Sequence, residues 1–275
     1  MNINEKQIIE PDKLRRFVSP INDPALREIV SRLSVDQFAF LGNRGSVRER
    51  VSRVKAFIQI FERYAENFLV GLDGFSHIYV LNGNTDYIHT LISRATSVQF
   101  FDSDYRYYKI ACEGLAKERS SIGELIFSFP SWRSGADENL ILAKTQSFDK
   151  RHMDIAYMGL TKMYSVTDVS EFDSVGITLS KTCAMPFNRI SIMYSKQSLP
   201  HLDLLQSIGY CNLSAIEIAR EVLSFLTPDF WIRKYWDWYL RLCVEHKISP
   251  TNCLLFATND KGQRVSTAEL FTGES

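Results

Sequence analysis

The chain has 275 residues, is 45% hydrophobic and 23% charged, and carries 32 basic against 32 acidic side chains. That length supports one large domain, or a large and a small one, each with a real core. The neutral balance gives no global basic surface for nucleic acid, five scattered cysteines without a CxxC pair argue against zinc or a disulfide framework, and no run approaches the ~18 apolar residues of a membrane span.

In chain order, residues 1–45 are polar and broken by Pro11, Pro20, Pro24, Gly42 and Gly45. They read as an N-terminal arm with a short helix after Asp23-Pro24. Residues 46–70 place Val47, Val51, Val54, Phe57, Ile58 and Phe61 at helical spacing. Short apolar runs then alternate with helical stretches. Strands are expected at His77–Leu81, Val98–Phe101, Glu124–Phe129, His152–Tyr157, Ser174–Leu179 and Arg189–Tyr194. Residues 202–248 read as mainly helical, and Asn252–Ala257 as a late strand. This alternation predicts an α/β fold with a mainly parallel sheet and helices on both faces. Ligands in such sheets sit at the C-terminal ends of the strands. The N-terminus lacks a charged-then-apolar leader pattern, so the expected compartment is the cytoplasm, with no membrane partner.

The most informative segment is Thr178-Leu179-Ser180-Lys181-Thr182-Cys183-Ala184-Met185-Pro186-Phe187-Asn188-Arg189. A lysine at a strand end can condense with an aldehyde, and it is more reactive when desolvated or beside another cation. An arginine and hydroxyls nearby can clamp a phosphate. Upstream lies Asp154-Ile155-Ala156-Tyr157, and before it Asn82-Gly83-Asn84-Thr85 and Asp104-Tyr105. Taken singly, the glycine turn and Tyr105 are weak signals, since Asn-Gly is a common turn and a Tyr after a strand is more often core.

Together, in this order, the segments resemble the class I/II, aspartate-aminotransferase-type enzymes of fold type I, over about residues 35–258. The resemblance implies an aminotransferase-like three-layer sandwich with a reduced small domain. Residues 1–45 would be the arm, 46–205 the large pyridoxal-phosphate-binding domain, and 206–275 an interdomain helix and an incomplete small domain. It implies pyridoxal 5'-phosphate as cofactor, held as a Schiff base on Lys181. Asn82, Gly83 and Asn84 would open a helix toward the phosphate, with Thr178 and Arg189 closing on it. Tyr105 would stack on the ring, Asp154 would face the ring nitrogen, and Tyr157 would bond the ring's phenolic oxygen. Lys181, Asp154 and Tyr157 are the residues expected to carry catalysis. The substrate would be an amino acid or small amine, and the protein a homodimer. Transamination is the default reaction. Decarboxylation, lyase or oxidase chemistry on the same fold, or a shortened non-catalytic homologue used for binding or assembly, are the alternatives.

Three departures from the pattern stand out. Phe129-Pro130 replaces the usual Asn-Pro, so the bond that Asn makes is missing or made by another group such as Ser128. Gln37–Gly42 offers Phe38 and Phe40 where a partner Tyr is usual. The chain ends soon after Ala257, before the arginine that normally takes the substrate carboxylate. Arg133 is one candidate replacement. Lys261 and Arg264 read as parts of a solvated turn. Weak discrimination for a substrate carboxylate is therefore expected.

Overall fold

The structure is a computed structural model that describes residues 20–41, 45–102, 104–131, 134–162, 166–185 and 189–271. Helix α1 spans Pro24–Leu41 and α2 spans Val47–Ala65. A capping box starts α2: Glu49 N–H donates to Ser46 Oγ at 3.3 Å, and Ser46 N–H to Glu49 Oε2 at 2.6 Å. Its apolar stripe of Val54, Phe57, Phe61 and Tyr64 is buried.

The two-residue strand β1 (Leu69–Val70) precedes the central sheet. There β2 (His77–Leu81), α3 (Asn84–Arg94), β3 (Ser97–Gln99), α4 (Arg106–Gly114) and β4 (Glu118–Arg119) follow in turn. Next come β5 (Glu124–Phe129), α5 (Glu138–Thr145), β6 (Arg151–Ile155), β7 (Thr167–Asp168), β8 (Ser174–Thr178) and β9 (Ser191–Ser195). Strand β7 pairs with β1, away from the sheet. The seven-stranded sheet has the order β2-β9-β8-β6-β5-β3-β4. Strands β4, β3, β5, β6 and β8 are parallel, and β9 runs against both of its neighbours.

Residues that alternate along a strand face opposite sides, and the core divides accordingly. Leu125, Phe127 and Phe129 of β5 join the apolar cluster under α2 and α5, while Ile126 joins the one under α3 and α4. The result is three layers. The expected helical stretch 202–248 resolves into α6 (Pro200–Ser207), α7 (Leu213–Phe225) and α8 (Phe230–Glu245). The first break falls at Gly209, whose φ of +62° suits glycine. Strands β10 (Ser249–Pro250), β11 (Phe256–Thr258) and β12 (Arg264–Ser266) close an antiparallel sheet after α8.

Two expectations shift here. The late strand is shorter than the apolar run Asn252–Ala257, because Cys253 makes only an isolated bridge to Thr161 and Leu254 N–H bonds Leu160 O at 3.0 Å. The helix after Asp23-Pro24 is 18 residues long, and it docks on this chain's own helices. Asp23 is fully buried and accepts from Leu26 N–H at 3.0 Å, Lys234 Nζ at 2.6 Å and Tyr235 Oη at 2.6 Å. Among the described residues no helix is long and apolar enough to cross a membrane.

Candidate active site

The C-terminal ends of β2, β6 and β8 meet at one edge of the sheet. Register fixes this: Leu81 and Thr178 both pair with Ser191, and Ser128, Asp154 and Gly176 lie in one row across β5, β6 and β8. The sequence motifs far apart in the chain therefore converge here.

Helix α3 opens at Gly83, which caps it with φ at +97°. A Cβ on Gly83 would stand 3.0 Å from Arg189 Nε, so the bare backbone is what lets the arginine approach. Arg189 also donates to Thr85 Oγ1 at 2.6 Å. Thr178 Oγ1 donates to Ser180 Oγ at 3.1 Å. A guanidinium, the Thr85 hydroxyl and a helix N-terminus thus meet at one point, an arrangement suited to an anion. Asn82 is exposed beside it, its N–H bonded to Asp86 Oδ2 at 3.2 Å.

Asn84 turns the other way. Its side-chain amide donates to Asp154 Oδ1 and, at 3.1 Å, to the carbonyl of Gly176. The phosphate-facing role expected for Asn84 is thus left to its backbone, and its side chain belongs to Asp154. Tyr108 supplies the second partner, donating to Asp154 Oδ2 at 2.8 Å. Asp154 is 3% exposed. Burial pushes its carboxyl up to about 6, against the pull of Asn84 and Tyr108 toward the ionised form.

Lys181 sits half-buried in the turn after β8. Burial pulls its ammonium down to about 8, and the charges of Arg189 and Arg264 add to the effect. Tyr105 caps α4, its ring edge-on to Tyr108 at 5.5 Å, within electrostatic reach of Asp154, Arg189 and Arg264. Tyr157 is buried and packs edge-on to Phe256 at 5.4 Å.

Sequence reasoning missed two members of this group. Tyr108 lies three residues after Tyr105 on α4, a spacing that was legible, although an aromatic there reads as core. Arg264 carried no signal. The turn at Asn259–Gly262 forms as expected, but the hairpin then brings Arg264 back over Phe256, 5.4 Å from the ring centre. The guanidinium shares a hydrogen bond with Tyr157 and feels Tyr105. Arg264 is thus part of the site and not a solvated tail residue. Ser128 lies close by on β5. Its hydroxyl donates to Asp104, which also accepts from Ser128 N–H at 3.0 Å, Asn139 Nδ2 at 2.9 Å and Tyr105 N–H at 2.7 Å. Ser128 therefore secures the loop that carries Tyr105. Arg133 and the side chains of Phe38 and Phe40 lie outside the described residues.

The fold can now be compared with known proteins. No family model and no curated protein matches the sequence. Solved structures do match. A histidinol-phosphate aminotransferase from Clostridium acetobutylicum is 15% identical, with a TM-score of 0.58 over 88% of this chain and 81% of that one. An L-threonine-O-3-phosphate decarboxylase from Porphyromonas gingivalis is also 15% identical, with a TM-score of 0.55 over 87% and 78%. A C–S lyase from Staphylococcus hominis, bound to pyridoxal phosphate, is 10% identical, with a TM-score of 0.56 over 94% and 80%.

The chain has the fold of the type I pyridoxal-phosphate aminotransferases.

That cofactor can be tested against the residues present. The Gly83 cradle beside Arg189 suits its phosphate. At the far end, Asn84 Oδ1 is buried beside Asp154 with no hydrogen-bond partner among the described residues, an acceptor left over where a polar ring would lie. The turn after β8 adds an amine of lowered pKa, Lys181. The residues fit the group.

Proposed function

We propose that the protein is a pyridoxal-phosphate enzyme acting on an α-amino acid, with Lys181 as the lysine that carries the cofactor and aminotransfer as its reaction. The observation that carries this reading is the convergence of Lys181, Asp154, Arg189 and the α3 N-terminus at one sheet edge. When bound, pyridoxal phosphate supplies an aldehyde for the substrate amine and a ring that accepts electrons from the substrate carbon. Arg189, Thr178, Ser180 and the N–H groups opening α3 hold the phosphate. Asp154 keeps the ring nitrogen protonated, because a buried carboxylate gains most from a cation beside it. Tyr108 and Asn84 hold Asp154 in place. Tyr105 would cover the ring face. Lys181, neutral in a substantial fraction near pH 8, moves the proton at the substrate α-carbon.

Arg264 decides the substrate class in this reading. Lys181 feels the charge of both Arg189 and Arg264, and Arg189 would be taken by the phosphate. Arg264 is left to face the substrate beside Tyr157. This reverses the weak carboxylate discrimination expected from the sequence. Titrating the holoprotein with matched amines and α-amino acids, followed by visible absorption, tests the reading. The amino acid is expected to bind about a hundredfold tighter, the worth of a few kcal/mol from an arginine–carboxylate pair. Arg264→Met should remove that preference and leave amine binding unchanged. Equal affinities in the unaltered protein would reject the role of Arg264. Product analysis with an amino acid and a keto acid separates aminotransfer from decarboxylation or β-elimination.

A further inference from the structure

Thr182 follows Lys181 in sequence and is fully buried. It makes two bonds that leave its own turn. Its hydroxyl donates to the carbonyl of Met158 at 2.7 Å. Its carbonyl accepts the indole N–H of Trp231, in α8, at 2.9 Å. Met158 follows Tyr157. One residue therefore links the lysine turn to the loop carrying Tyr157 and to a helix of the layer beneath.

Among the described residues, the backbone bonds of this turn act elsewhere. Cys183 N–H bonds Leu179 O at 2.8 Å, Ala184 N–H bonds Lys181 O at 3.2 Å and Met185 N–H bonds Ser180 O at 3.0 Å, all inside the turn. Leu179 N–H reaches Ile190 O at 3.1 Å, which ties the turn toward β9. The Thr182 bonds act on the opposite side, toward β6 and α8. Both partners are rigid. Trp231 is fully buried and stacks on Tyr235 at 5.8 Å, and Tyr235 is itself bonded to Asp23. Met158 precedes Gly159, whose φ of +78° and packing against Tyr64 Oη and Thr182 Cγ2 leave little room for a side chain.

We propose that Thr182 is a positioning residue, whose bonds to Met158 and Trp231 hold the turn that carries Lys181 against the loop that carries Tyr157 and against α8. Its role as the device that sets this amine rests on the reading of Lys181 as the reactive group. A turn released on that side lets Lys181 swing toward water, away from Arg189 and Arg264, and its amine becomes an ordinary lysine. The test uses the cofactor-free protein, so it reads the amine whether or not pyridoxal phosphate binds. Trinitrobenzenesulfonate labelling of the Lys181 peptide is followed by mass across a pH series, with the thermal midpoint measured in parallel. The unaltered protein and Thr182→Ser should label with a midpoint near pH 8. Thr182→Val, which keeps the shape and loses the hydroxyl, should shift that midpoint up by about one pH unit, a roughly tenfold smaller neutral fraction of the amine at pH 7. Trp231→Phe removes the second bond alone and should give a smaller shift in the same direction, which serves if Thr182→Val does not fold. A lower thermal midpoint with an unmoved labelling midpoint in the folded variants would mean a purely structural residue. That result, or a Ser variant that behaves like Val, overturns the proposal.

Discussion

Asp154 shows how a single side chain makes stability depend on pH. Its carboxyl is raised from 3.8 to about 6, chiefly by burial. A raised folded value means the folded state prefers the protonated form. That stabilisation is complete below about pH 4 and is lost as pH rises through about 6. Two pH units correspond to roughly 3 kcal/mol of penalty on the cofactor-free protein above pH 7. Asp104 compounds it, since burial pushes its carboxyl up to about 7 and the charge on Asp154 adds to the effect. Asp154→Asn in the cofactor-free protein should therefore be more stable than the unaltered chain at pH 8 and no more stable at pH 4, read from urea midpoints. A variant equally destabilised at both pH values would contradict this. Sequence could point to Asp154, because Asp-x-Ala-Tyr is a local pattern. It could not point to Asn84 as its partner, because Asn84 opens α3 after β2 and reaches Asp154 only where α3 packs across β8.

At the scale of elements, β8 is packed without slack. All five of its residues are buried. A Cβ on Gly176 would fall 2.3–2.5 Å from carbons of the Tyr87 ring. Tyr87 cannot retreat, since its hydroxyl bonds Met153 O at 3.2 Å and Ser174 Oγ at 3.0 Å. Gly176→Ala is therefore expected to cost about 1–3 kcal/mol by overpacking. It should also disturb Asp154, because the Gly176 carbonyl holds Asn84. Urea denaturation checks the first effect, and an unchanged midpoint would show that the ring yields. Legibility followed the same logic. His77–Leu81 and Glu124–Phe129 were read to the residue, because each is a continuous apolar run bounded by turn residues. Strand β12 was missed: three residues with one apolar member carry no period, and only the closing of the hairpin places Arg264.

The whole molecule is one sandwich with its reactive groups on one edge, and the described part of the N-terminal segment is pinned to it through Asp23. Ile21 and Leu26 are buried in this chain's own core. A homodimer is proposed on the resemblance alone, and light scattering of the holoprotein at micromolar concentration should give twice the chain mass. A monomer that keeps its cofactor would count against it. The central claim is that this edge holds pyridoxal phosphate through Lys181, and chemical mapping tests it most directly. The protein is mixed with pyridoxal phosphate, reduced with borohydride, digested and analysed by mass spectrometry. A phosphopyridoxyl mass on the Lys181 peptide, absent from Lys181→Ala, is the expected result. The same mass on Lys144 or Lys196 instead, or on no lysine, would contradict the account.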